Sequence, residues 1–271
     1  MTPPAASRAA ARTAFLAQYR SVRDRDGYRG DSSEYYRALP STPRTDPQHP
    51  IWTVRQRSYE RFRALVRDRF RGMVLAGFPH TRPAILDLGA GNGWLSHRMT
   101  LDGCRTIAVD IYDDDRDGLG AGRHYGVQFG RVVADFDALP FAARQFHVVV
   151  FNGSLHYSPD VRATLARVAP LVAPGGVIAV IDSPMFECPS DGQSMRDRMR
   201  RRFQRDYGVA EPIEPGEGFL LFSRLGDTAR ELGMDAHFVE SRGGVQWTMG
   251  RLAGRIRHGI RPATFGVWWA A

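Results

Sequence analysis

The chain has no lysine: all 37 of its basic side chains are arginine, set against 29 Asp and Glu for a formal net charge of +8. Such a bias follows as readily from gene base composition as from a binding surface, so charge alone selects no partner. Cysteine is nearly absent. Cys104 and Cys188 exclude a disulfide framework and a thiolate metal site, and the compartment expected from them is the cytoplasm. No apolar run approaches the roughly 20 residues of a membrane span, and Met1 to Arg20 lacks the continuous apolar stretch of a secretion signal. Metal-ligand spacing is missing too: His80, His97, His124, His237 and His258 form no i, i+4 pair, and no metal is expected. The acidic run Asp113, Asp114, Asp115 and Asp117 reads as a solvated loop, and His147, inside an apolar run, as a core residue.

Glycine is where the information lies. Residues 84–88, Ala-Ile-Leu-Asp-Leu, form a short apolar strand that runs into Gly89, Gly91 and Gly93 and then into a helix-like segment from Trp94. Alternate glycines let the backbone turn sharply and leave bare amides at a helix start, where a ligand can lie against them. Asp87 adds a fixed carboxylate beside that turn.

The following segments repeat one pattern, an apolar run closed by a polar residue. Thr106-Ile107-Ala108-Val109 ends in Asp110, twenty-one residues past Gly89, where an acid meets ribose hydroxyls in a nucleotide-binding α/β unit. Residues 131–134 end in Asp135 and Phe136, 146–151 in Asn152, and 177–181, after Pro174-Gly175-Gly176, in Asp182. A nicotinamide dinucleotide enzyme is disfavoured, because the third glycine comes one residue early and Asp87 would repel a pyrophosphate while suiting a cation.

Together these residues resemble a class I S-adenosylmethionine-dependent methyltransferase of small-molecule type, closely over about 83–182. The resemblance implies S-adenosylmethionine as cofactor. It places Asp87, Gly89, Ala90, Gly91 and Gly93 around the methionine end, with Trp94 leaning on it or packing at the helix start. It also puts Asp110 at the ribose and Asp135 and Phe136 at the adenine, with Ile111 and Asn152 among the cofactor-binding residues. The fold expected is α/β, a Rossmann-like seven-stranded, mostly parallel sheet of order 3-2-1-4-5-7-6. The last two strands come from 235–240 and 263–270, the final one inserted antiparallel.

Outside that region, residues 1–80 read as a helical N-terminal extension, with helices near Ala9–Arg23 and Val54–Arg71. Residues 81–271 read as the methyltransferase domain, with an insertion at about 183–218. In the N-terminal zone Tyr28, Tyr35, Tyr36 and Trp52 either close over an acceptor or pack. The densest arginine cluster, 196–206, reads as a solvated helix with Met199 and Phe203 packing inward.

Methyl transfer needs an acceptor held in line and, where required, relieved of a proton. His156 and Asp182, just past the fourth and fifth strands, are the candidate bases. The other readings are a pocket wall for His156 and a loop cap for Asp182. The sequence after the fourth strand, Asn152-Gly153-Ser154-Leu155, lacks the Pro-Pro-aromatic run that resemblance would require of a nucleic-acid amino methyltransferase. A small-molecule acceptor, attacked at O, N or C, is therefore expected, with nucleic acid and membrane disfavoured. The alternatives are an RNA methyltransferase using the arginine-rich insertion, and a non-catalytic S-adenosylmethionine-binding protein.

Overall fold

A computed structural model of the chain describes residues 5–27, 30, 32–76, 82–209, 215–241, 249, 259 and 261–271. Tyr28, His80 and His258 lie outside them. Four helices come first: α1 (Ala5–Arg25), α2 (Ser33–Ala38), α3 (His49–Arg69) and α4 (Arg71–Ala76). Strand and helix then alternate through β1 (Ala84–Leu88), α5 (Trp94–Leu101), β2 (Arg105–Asp110), β3 (Gly130–Val133), β4 (Phe146–Asn152), α6 (Val161–Val168) and β5 (Val172–Ile181). The chain closes with β6 (Met185–Phe186), α7 (Pro189–Tyr207), β7 (Leu220–Leu221), α8 (Phe222–Glu231), β8 (Ala236–Glu240) and β9 (Gly266–Ala270).

Seven strands form one sheet in the order β3-β2-β1-β4-β5-β9-β8, and β6 and β7 pair separately. Counted within the sheet, this is the order 3-2-1-4-5-7-6 expected from the sequence. The first five strands are parallel, and β9 inserts antiparallel between β5 and β8. The fifth strand begins earlier than the apolar run suggests, because Pro174-Gly175-Gly176 lies within β5 at a register shift.

Continuous apolar runs in β1, β4 and β5 produce a sheet buried on both faces, as parallel strands require. Ile85, Val148, Val150, Ala179 and Ile181 face Tyr36, Phe62, Val66, Leu95 and Met99 from α2, α3 and α5. Leu86, Leu88, Val149, Phe151 and Val180 face Leu165, Val168, Leu225 and Ala229 from α6 and α8. The N-terminal helices α2 and α3 thus cover one face of the sheet together with α5. Trp52 and Tyr36 are fully buried there, which assigns both to packing rather than to a lid. His147 is half-buried at the end of the sheet rather than in the core, its Nδ1 accepting the Ala84 amide at 3.0 Å.

Two further expectations are corrected. On α7, Met199 faces outward at 41% exposure, leaving Phe203 to pack edge-on against Tyr207 at 5.2 Å. The acidic run is only partly solvated: Asp117 is 2% exposed, and both of its carboxylate oxygens are held by Arg23 of α1.

Candidate functional site

At the C-terminal edge of the parallel strands lies a cavity of about 500 Å³, within the roughly 300–1,000 Å³ of small-ligand sites. Its floor is the end of β1. Gly89, Gly91 and Gly93 take φ of +69°, +53° and +78°, a left-handed region that residues with a Cβ rarely enter. At Gly89 there is also no room, because a Cβ would lie 2.3 Å from Ser154 Cβ. Ser154 is fixed there by its hydroxyl, which donates to the Leu88 carbonyl at 2.5 Å. At Gly91 the space is open, the nearest atom to a built Cβ being the Asp117 carbonyl at 3.7 Å.

Asp110 ties β2 to this turn. Its Oδ2 accepts the Gly91 amide at 2.7 Å and its Oδ1 the Tyr112 amide at 2.9 Å. Burial pushes its carboxyl up to about 6 against those two backbone bonds, with Asp117 adding a smaller push. Asp135, whose Oδ1 accepts the Asp137 amide at 3.2 Å, lines the same cavity as Ile111 and Phe136. Phe136 is anchored edge-on against Phe151 at 5.4 Å.

The opposite wall comes from α1. Arg12, Phe15, Leu16 and Tyr19, spaced i, i+3, i+4 and i+7, line the cavity together with Tyr112 and Tyr157. Tyr19 packs edge-on against Tyr112 at 5.7 Å and Tyr157 at 6.4 Å, and burial holds its hydroxyl far above the usual tyrosine range. These α1 residues were not singled out in the sequence, although their stripe is present in an otherwise Ala- and Arg-rich segment.

Of the residues expected at the site, Gly89, Gly91, Asp110, Ile111, Asp135 and Phe136 line the cavity, and Asp87, Ala90, Gly93, Trp94, Asn152, His156 and Asp182 do not. Trp94 packs edge-on against Trp52 at 5.9 Å, and a Cβ on Gly93 would meet Phe129 at 2.9 Å, so both serve packing. Ala90 is buried in a small cluster with Ala108 and Leu119. Asn152 ends β4 one residue before Gly153, which does line the cavity.

Asp87 points into the core beside the turn. Ser96 donates to its Oδ2 at 2.9 Å, while Oδ1 has no hydrogen-bond partner among the described residues. Burial pushes its carboxyl up to about 7. A buried acceptor left open at a glycine turn fits a cationic ligand group.

His156 and Asp182 sit behind the wall. The His156 Nδ1 lies 3.1 Å from Ser183 Oγ, and its ring stacks at a tilt on Tyr157 at 4.3 Å. Burial first, then Arg55, lowers the imidazole to about 4, so it is neutral near pH 7. Asp182, at φ +55°, has both carboxylate oxygens buried with no hydrogen-bond partner among the described residues. Burial raises its carboxyl, and Arg55 and Ser58 oppose that. No cluster of three or more His, Cys, Asp or Glu suited to a metal occurs among the described residues, and none of the helices searched there is long and apolar enough to cross a membrane.

Glycine turn, ribose-type acid and adenine-type pair thus meet in one cavity, on a sheet of the expected order. Residues 86–180 match the family described as "Methyltransferase domain". This segment is a class I S-adenosylmethionine-dependent methyltransferase domain. The malonyl-[acyl-carrier protein] O-methyltransferase of Chlorobium luteolum is 32% identical over 97 residues, covering 34% of this chain and 37% of that protein. The 27-O-demethylrifamycin SV methyltransferase of Amycolatopsis mediterranei is 26% identical over 156 residues, or 56% of each chain. The methyltransferase similarity spans 37%, 48% and 44% of the length of three malonyl-[acyl-carrier protein] O-methyltransferases, less than half of each. In fold, the methyltransferase domain and its flanking elements resemble the DhpI–SAH complex, with a TM-score of 0.50 at 19% identity over 89% of this chain and 94% of that one.

Proposed function

We propose that the protein transfers the methyl group of S-adenosylmethionine to an O, N or C atom of a small-molecule acceptor. The observation that carries this reading is one cavity lined on one side by Gly89, Gly91, Asp110, Asp135 and Phe136 and on the other by Phe15, Leu16, Tyr19 and Tyr157. The first set has the chemistry of the cofactor, and the second is a largely aromatic face for an acceptor, with Arg12 as the charged group on the same helix.

The cofactor brings a methyl group already made electrophilic by its sulfonium charge. The residues of the chain hold and orient. Gly89 and Gly91 leave the turn bare for the methionine end, and Asp87, buried outside the cavity lining, ties the end of β1 to α5 through Ser96. Asp110 keeps lone pairs for a ribose diol, since a carboxylate has about four acceptor sites and two are used by backbone amides. Asp135 accepts from the adenine amino group while Phe136 and Ile111 cover its ring. His156 and Asp182 support the wall at Tyr157 and Gly153 rather than touching the acceptor.

On α7, Arg202 and Arg205 are paired with Asp26 and Asp206, which takes two of its six arginines away from a phosphate-binding face. Those curated relatives whose names give an acceptor act on malonyl-[acyl-carrier protein], 27-O-demethylrifamycin SV and demethylmenaquinone, none of them a nucleic acid.

The test is formation of S-adenosylhomocysteine from S-adenosylmethionine with a panel of small apolar acceptors, comparing the wild type with Tyr157→Ala. Turnover that requires a small acceptor and falls in the variant supports the reading. Turnover with RNA alone, or cofactor binding with no turnover on any acceptor, overturns it.

A further inference from the structure

Between the acceptor-side wall and the glycine turn stands one side chain that the methyltransferase reading does not use. Asp117 is 2% exposed and lines the cavity. Arg23 of α1 donates to it twice, from Nε to Oδ2 at 2.5 Å and from a terminal nitrogen to Oδ1 at 2.7 Å. A paired guanidinium–carboxylate fork at low exposure is geometrically specific and is screened far less than a surface pair.

The loop that presents Asp117 is rigid. Asp114 Oδ1 accepts the backbone amides of Arg116 and Asp117 at 2.8 and 3.0 Å. The Arg116 carbonyl is fastened to the core by the Tyr36 hydroxyl at 2.6 Å. Gly118 has no room for a side chain, since a Cβ would lie 2.3 Å from the Asp114 amide. On its other side the Asp117 carbonyl is the nearest atom to a built Gly91 Cβ. On the α1 side, the Arg23 guanidinium carbon also lies 5.5 Å from the centroid of the Tyr19 ring in the cavity wall.

We propose that Arg23 and Asp117 are positioning residues that latch α1 over the cofactor, so that the ion pair sets how fast cofactor and product leave the cavity. The latch follows from where its ends are fixed. Asp117 is anchored to the core loop beside Gly91 and cannot follow a moving helix, whereas Arg23 is carried by α1, whose Phe15, Leu16 and Tyr19 form the wall. Lifting that wall separates the pair and strips a buried carboxylate of its two donors, a change that costs several times more than losing a surface pair. Opening also leaves Asp117 uncompensated near Asp110, the acid assigned to the ribose, and so weakens the site that must be vacated.

This inference rests on the proposed cofactor reading, and its test separates the two. In the ligand-free protein, Asp117→Asn is expected to raise backbone amide exchange across residues 12–23 by about tenfold or more, with Arg23→Lys, which keeps the charge but not the fork, giving a smaller rise. In the S-adenosylhomocysteine complex, Asp117→Asn is expected to speed ligand dissociation by about tenfold while changing association little. Unchanged α1 exchange in both variants, or faster exchange with an unchanged dissociation rate, overturns the latch. Wild-type protein that binds no S-adenosylhomocysteine overturns the cofactor reading together with the release role of the pair, and the exchange data then show whether Arg23 and Asp117 fasten α1 at all. Should Asp117→Asn fail to fold, Arg23→Lys and Arg23→Ala carry the same comparison from the half of the pair that is more exposed.

Discussion

Asp110 Oδ2 accepts the Gly91 amide at 2.7 Å, so the acid that closes β2 and the glycine turn that closes β1 are one hydrogen-bonded unit. The sequence separates them by nineteen residues, and parallel pairing of Leu88 with Val109 brings them together. The carboxylate that would meet a ribose is thereby fixed in register with the backbone that would meet the methionine end.

The two lining glycines are expected to fail differently. Gly89→Ala drives a Cβ to 2.3 Å from Ser154 at φ +69°, combining overpacking with backbone strain. A stability loss of about 3 kcal/mol or more is expected in urea unfolding. Gly91→Val meets open space and pays mainly in backbone conformation, about 1–2 kcal/mol, but its side chain enters the cavity. Calorimetry should find cofactor affinity abolished, with the circular dichroism spectrum retained.

Asp87 makes stability fall with rising pH. Its carboxyl stands near 7 when folded against an ordinary 3.8, so between those values the folded state binds more protons than the unfolded one. The stabilising contribution is full below about 3.8 and is lost as pH rises through 7. Urea titrations of Asp87→Asn between pH 4 and 8 should be flatter than those of the wild type, with Asp110 supplying a residual slope of the same sign up to about 6.

His156→Ala is expected to leave the pH–rate profile without a lost inflection near neutrality, because the imidazole titrates near 4 in the folded chain. Turnover should change only a few-fold, through a loosened Tyr157. A fall of a hundredfold or more, the usual effect of removing a general base, would restore it as the proton acceptor. In stability, this His binds fewer protons folded than unfolded between about 4 and 6.5, so its contribution holds above 6.5 and is lost as pH falls through that window.

Trp52→Ala should unfold the protein more easily by about 3–5 kcal/mol. Trp52 is 1% exposed, packs on Trp94, and carries the Arg55 guanidinium 4.7 Å over its ring. An acceptor-lid role would instead appear as a raised KM with urea stability intact.

Most of the central fold was legible because its signals are local. The parallel strands carry apolar runs that end in polar residues, so Asp110, Asp135 and Phe136 could be placed at one edge without coordinates, with their roles taken from the resemblance. Residues that act across elements were not legible. Trp94 and Trp52 look like pocket aromatics until α3 is docked against α5, and Asp114 and Asp117 look solvated until α1 brings Arg20 and Arg23 to them. The sequence by itself determined the succession of strands and the glycine turn, through apolar periodicity and glycine spacing, and its resemblance to a known family supplied the strand order. Only the tertiary structure decided which wall faces that edge. Helix docking depends on burial and on charge pairs such as Arg23 with Asp117, ninety-four residues apart, and no local pattern encodes such a distance.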